Sequence, residues 1–236
     1  MLKKNALIVL EAPWELREGD QNVVSVLPFF HGLEKLSGDF DLFHSKFYEA
    51  KSFGMALDEL TKLDYERYYI YVACHGSGRR LHNINLSTVF RLINHKGQSR
   101  NVVGVIFGAC LIGRNIPAFQ VYTEASSIVW KFGYKCIVNW LEGTLLDLKI
   151  FQALLKAEDE DFTSAKNLIS IFKDALAVYD PQGSIGWELK KEKDDKGVVH
   201  YTEIPTKLAK SLTLVVQPKG QGHKANNYSD KLFEPA

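Results

Sequence analysis

The chain has 236 residues, of which 46% are hydrophobic and 24% charged, the make-up of a globular domain large enough to bury a core without disulfide or metal staples. Twenty-nine Lys and Arg against 28 Asp and Glu leave a net charge of +1, which asks for neither nucleic acid nor an anionic membrane as partner.

In chain order, Asn5 to Leu10 is a continuous apolar run and predicts a strand buried on both faces. The two lysines before it do not make it a signal segment, because the run is short, lacks a small-residue cleavage site and ends at Glu11. Residues 21–37 have helical spacing with a late start at Pro28. Residues 40–48 alternate as a second strand, and 52–63 place Phe53, Met55, Ala56, Leu57, Leu60 and Leu63 on one helical side. Tyr68 to Ala73 is a β-rich run that ends in Cys74-His75-Gly76. A helix over 86–95, capped by Ser87 or Thr88, leads to the strand Asn101 to Phe107 and then Gly108-Ala109-Cys110. Next come a helix over 117–131, a strand from Lys135 to Trp140, and helices over 144–157 and 162–178 joined by the acidic loop 158–161. After Asp180, segments 187–190 and 198–201 flank a turn and predict a hairpin; Leu212 to Val216 is a last strand, and 218–236 reads as a loosely ordered tail.

Alternating strands and helices predict an α/β fold with a mainly parallel sheet covered on both faces. The division expected is a core over 1–180, a hairpin and strand extension of the same domain over 181–217, and the tail. No apolar stretch approaches the ~18 residues of a membrane span. Three cysteines, Cys74, Cys110 and Cys136, are too few for a disulfide framework and suit a reducing, cytoplasmic compartment. Arg79, Arg80, Arg91 and Arg100 read as a solvated basic face.

Two strand ends carry the candidate chemistry. In an open parallel sheet, ligands sit beyond the carboxyl ends of the strands. If the strands ending at His75 and Cys110 are neighbours, an imidazole and a thiol share one rim. A thiol becomes a nucleophile as the thiolate, which a nearby imidazole promotes, and the same imidazole can protonate a leaving amine. The backbone N–H groups of Gly76 and Cys110 are placed to hold an oxyanion. Cys74 and Cys136 read as core. A zinc site from Cys74, His75 and Cys110 lacks any Cys-x-x-Cys pairing, so no metal or cofactor is expected.

Tyr69-Ile70-Tyr71-Val72-Ala73-Cys74-His75-Gly76 followed by Val105-Ile106-Phe107-Gly108-Ala109-Cys110 resembles the caspase-like (clan CD) cysteine peptidases, in which one apolar strand ends in His-Gly and the next in a small residue plus Cys. Gly133 to Trp140 is similar to a segment of the bacterial CHAT group. The resemblance spans residues 5–178. It implies a three-layer α/β/α fold with a C-terminal hairpin extension, and a cysteine endopeptidase with His75, Gly76 and Cys110 at its centre. It also implies a protein or peptide substrate, a regulatory or sensor protein as a second partner, and regulated proteolysis such as anti-phage defence or programmed cell death. Gly108 stands where caspases have Gln and metacaspases an acidic residue, so neither group's substrate preference carries over. Glu11, Glu15 and Glu142 are candidates for an acidic specificity pocket, Trp140 for its wall, and Arg17 for an acceptor of acidic side chains. An inactive binding module and a related thiol amidase or acyltransferase are the competing readings. A flavodoxin-like nucleotide binder is disfavoured, since no Gly-x-Gly-x-x-Gly follows the first strand.

Overall fold

A computed structural model describes residues 4–14, 24–38, 40–195, 197–220 and 222–234. Strand β1 (Asn5–Glu11) is followed by α1 (Leu27–Ser37), β2 (Phe40–Lys46), α2 (Ala50–Leu60) and β3 (Arg67–Ala73). A short ribbon of β4 (Arg80–Leu81) and β5 (Ile84–Asn85) leads into α3 (Leu86–Ser99) and β6 (Val102–Gly108). Then come α4 (Ile116–Glu124), β7 (Trp130–Tyr134), β8 (Ile137–Val138), α5 (Trp140–Leu154) and α6 (Ala165–Leu176). The hairpin β9 (Ser184–Lys193) and β10 (Val199–Lys207), the single turn α7 (Leu208–Ser211), β11 (Leu212–Val216) and β12 (Asn226–Asn227) follow.

Seven strands form one sheet in the order β12-β11-β7-β6-β3-β1-β2. The run β2-β1-β3-β6-β7 is parallel, and β11 and β12 add antiparallel strands at one side. β1 and β3 are buried at every position, as parallel strands covered on both faces must be. Alternation splits their side chains into two cores. Leu7, Val9, Tyr69 and Tyr71 face α1, α5 and α6, while Ala6, Ile8, Leu10, Ile70 and Val72 face α2, α3 and α4. The fold is therefore a three-layer α/β/α arrangement around a mainly parallel sheet. The hairpin pairs through β9 with β8 in a separate small sheet.

Local rules account for most boundaries. Pro28 sits at the start of α1, whose end is closed by Gly38 at φ 68°. Glu49 and Ser52 form a reciprocal capping box on α2. Helix α3 starts at Leu86 with Asn85 at its cap position, two residues before Ser87 and three before Thr88. The expected 117–131 helix stops at Glu124, and Trp130–Tyr134 is a buried strand instead. Lys131 disguises that strand, because its ammonium is buried and bonded to the Tyr122 carbonyl and the Thr123 hydroxyl. The predicted strand 135–140 shrinks to the two residues of β8, and Trp140 opens α5. In the final stretch, β12 pairs with β11, and Ala225 and Leu232 enter the two cores. No helix among the described residues is long and apolar enough to cross a membrane.

Candidate active site

The β3–β6 ladder pairs Ala73 with Gly108. Two residues further along each chain stand His75 and Cys110, so parallel register brings them out level on neighbouring strand ends. Backbone contact tightens the pairing: a Cβ added to Gly76 would fall 2.3 Å from the Cys110 carbonyl oxygen and 3.0 Å from its nitrogen. Only glycine permits that approach.

The chain around each residue is held by backbone bonds. Gly76 bridges to Leu81, flanked by Ser77 N–H to Arg80 O (3.1 Å) and His82 N–H to His75 O (2.7 Å). Beyond Cys110 the chain turns through Leu111 at φ 65°, whose N–H donates to the Cys136 carbonyl (3.0 Å). A left-handed leucine is a strained conformation of the kind found beside functional groups. Among the described residues, the N–H groups of Gly76 and Cys110 donate to no backbone carbonyl.

His75 is exposed, and its Nε2 lies 2.8 Å from the Trp14 carbonyl oxygen. A carbonyl only accepts, so Nε2 carries the proton and Nδ1 remains available as a base. The imidazole also stands edge-on to the Trp14 ring at 5.4 Å. Cys110 is half-buried, with Sγ 3.9 Å from the Val138 carbonyl oxygen. Burial pushes its thiol pKa upward, and nearby Cys136 adds to this. The resting thiol is thus protonated and depends on a base to become a nucleophile. No hydrogen bond joins His75 to Cys110; the two flank the rim, each engaged with a different carbonyl.

Beside the thiol lies a cavity of about 30 Å³, bounded by Trp14, Cys110, Tyr134, Val138, Trp140 and Asp147. Trp140 is a wall of this cavity, but from the first turn of a helix rather than from a strand end. It meets Trp14 at 6.4 Å and Phe29 at 5.5 Å, both edge-on. Glu11 is not part of the cavity. Its carboxylate is buried and accepts from Trp14 Nε1 (2.9 Å), Val26 N–H (2.9 Å) and Ser25 Oγ (2.7 Å), with His44 Nε2 at 3.4 Å. Burial alone would raise its pKa; the nearby His44 imidazole and the donors from Ser25, Trp14 and Val26 together outweigh that and hold it low. Glu11 is therefore a clamp on Trp14, the residue whose carbonyl meets His75. Glu142 is exposed on the first turn of α5 and lines a different groove. Glu15 and Arg17 lie outside the described residues. Cys74 and Cys136 are buried, and among the described residues no group of three His, Cys, Asp or Glu is placed to hold a metal ion.

Two contributors carry no sequence motif. Trp14 acts through its carbonyl, which every residue has. Asp147 is different: it falls on the apolar face of α5 with Ile150, Phe151 and Leu154, and a carboxylate at a core position is a visible anomaly. Its oxygens contact Tyr134 OH (2.6 Å) and Tyr71 OH (3.0 Å), while Tyr134 OH also lies 3.0 Å from the Gly143 carbonyl. One phenol proton cannot serve two acceptors. The contacts are all satisfied when Asp147 is a neutral acid donating to Tyr134, which donates onward to Gly143. Burial pushes its pKa up to about 8, which agrees.

No protein-family model matches the chain, and no curated protein matches it. Among solved structures, the chain is similar to a complex of the pro- and mature domains of RgpB from Porphyromonas gingivalis. The TM-score is 0.44 at 11% identity, over 96% of this chain and 68% of that one.

Proposed function

We propose that this chain is a caspase-like cysteine endopeptidase with Cys110 as nucleophile and His75 as general acid and base. The observation that carries the reading is the level placement of the two residues on neighbouring parallel strands, with Gly76 packed against the Cys110 backbone. His75 Nδ1 takes the thiol proton as Sγ attacks the scissile carbonyl carbon. The N–H groups of Gly76 and Cys110 receive the oxyanion. Collapse breaks the C–N bond, and His75 gives its proton to the leaving amine, leaving a thioester on Cys110. Water, deprotonated by His75, then releases the acid and restores the thiol. The Trp14 carbonyl holds the imidazole in the tautomer this cycle needs. Trp140 walls the substrate cleft. The CHAT resemblance supplies the setting: a cytoplasmic protease acting on a protein or peptide under a sensor protein's control, in defence or cell death.

The test is cleavage of a peptide mixture by wild type, Cys110→Ala and His75→Ala. Each variant is expected to lose about 10⁴-fold or more in turnover, as removal of either member of a nucleophile–base unit does. Cleavage by Cys110→Ala at the wild-type rate would remove the mechanism. Transfer of the acyl group to an added amine without net peptide hydrolysis would favour an acyltransferase.

A further inference from the structure

The cavity beside Cys110 is small, but a second groove of about 260 Å³ opens between the start of α5, the chain just past α6 and the start of β9. Its apolar walls are Leu145 of α5, Tyr179 beyond α6, Ile185 of β9 and Leu208 of α7. Ile185 and Leu208 are almost fully buried, whereas Leu145 is 46% exposed, so the groove has an apolar floor and an open mouth. Glu142, Asp180, Gly183 and Ser184 also line it, and among the described residues none of the eight that line it is a cation. The Glu142 side chain makes no hydrogen bond or ion pair among the described residues. Asp180 accepts from the Gln182 N–H (2.9 Å) through one of its oxygens.

The groove adjoins the thiol through shared elements. Val138, whose carbonyl meets Cys110 Sγ, pairs with Gly186 in the β8–β9 ladder. Ile185 is the next residue along β9, and its carbonyl accepts from the Asn139 N–H (3.0 Å). Trp140 walls the thiol cavity, and Glu142 stands two residues later on the same helical turn. One strand spacing is about 4.8 Å, and an extended peptide advances about 3.3 Å per residue. The segment Val138 to Glu142 therefore joins the two sites, one of its ends bounding the thiol cavity and the other lining the groove, so that an extended peptide held at Cys110 has the groove beside its course.

Resting on the peptidase reading, we propose that this groove is a substrate subsite for a lysine or arginine side chain flanking the cleaved residue. The methylene stem lies on Leu145, Ile185 and Leu208, and the cation meets Glu142 and Asp180. A norleucine-like chain would fill the same walls while desolvating two carboxylates, and an acidic chain would be repelled.

The test compares peptides carrying Lys, norleucine or Glu at the flanking positions. Two partly exposed charge contacts worth a few-fold each predict a Lys-over-norleucine ratio in kcat/KM of about tenfold. That ratio falls towards one in the Glu142→Gln/Asp180→Asn double variant and moves in favour of Glu in Glu142→Lys. A second arm measures binding of the same labelled peptides to Cys110→Ala by fluorescence anisotropy. Lys-selective binding lost in the double variant, with no peptide cleaved by wild type, keeps the groove and sinks the peptidase. A wild-type ratio near one in both arms, or a ratio indifferent to the double variant, overturns the groove.

Discussion

Gly76 carries a sharper constraint than either reactive side chain. A methyl group there would sit 2.3 Å from the Cys110 carbonyl oxygen, and the obstacle is backbone, which cannot swing aside. Gly76→Ala is expected to push the two strand ends apart. Overpacking of this kind costs about 1–3 kcal/mol, and an ångström of misplacement at a reacting centre costs roughly 10²-fold in rate. A lowered melting temperature together with a matching fall in kcat/KM is the expected pair of readings. A variant with wild-type values of both would mean that the two strands do not approach as described. His75 and Cys110 are legible in the sequence because each follows an apolar strand by a fixed step, and parallel register does the rest. The partner of His75 is not legible. Trp14 is recruited by Glu11, whose carboxylate reads as a loop charge until the fold buries it under three donors with the His44 imidazole alongside.

Among the elements, the apolar runs of β1, β3, β6 and β11 read directly as buried strands, because burial on both faces leaves no polar positions to confuse the period. β7 does not, since Lys131 interrupts it and Trp130 fills the space that Gly104 leaves open on the neighbouring strand. Helix α5 is mis-bounded as well: Trp140 reads as a strand end and the helix as starting at 144, yet Trp140 already lies in its first turn. The two charged segments, loop 158–161 and the hairpin, also differ in how firmly they are held. Loop 158–161 is tied down by Asp159 on buried Arg67 (2.8 Å), Glu158 on Lys4 (2.9 Å) and Asp161 on the Glu158 N–H (3.0 Å). The hairpin is exposed from Glu188 to Glu192 and again from Val198 to Pro205, and beyond Trp187, where β8 no longer pairs with it, it is a two-stranded ribbon that opens easily. Limited digestion with a Glu-specific protease is expected to cut first after Glu188, Glu192 or Glu203, with fragments identified by mass. A first cut after Glu158 or Glu160 would place the weak point in the loop instead.

Across the whole molecule, two buried ionisable groups lie on opposite faces of the sheet and pull stability in opposite directions with pH. Asp147, in the core with α5, has its pKa raised by burial from 3.8 to about 8. Between about pH 4 and 8 the folded chain holds a proton that the unfolded chain has lost, so stability falls as pH rises. Lys131, against α4 and the Phe90 ring, has its pKa lowered by burial from 10.5 to about 7. Between about pH 7 and 10.5 the unfolded chain holds the extra proton, so stability rises with pH. The two slopes meet in a trough near pH 7 to 8. Asp147→Asn keeps the donor and acceptor that Tyr134 and Tyr71 require and removes the falling limb. Lys131→Met fills a similar volume without a charge and removes the rising limb. With no shared hydrogen-bond partner the effects should add, so melting curves of the double variant should vary less between pH 5 and 10 than those of wild type. A trough of undiminished depth in the double variant would show that these two groups are not what the protein's stability answers to.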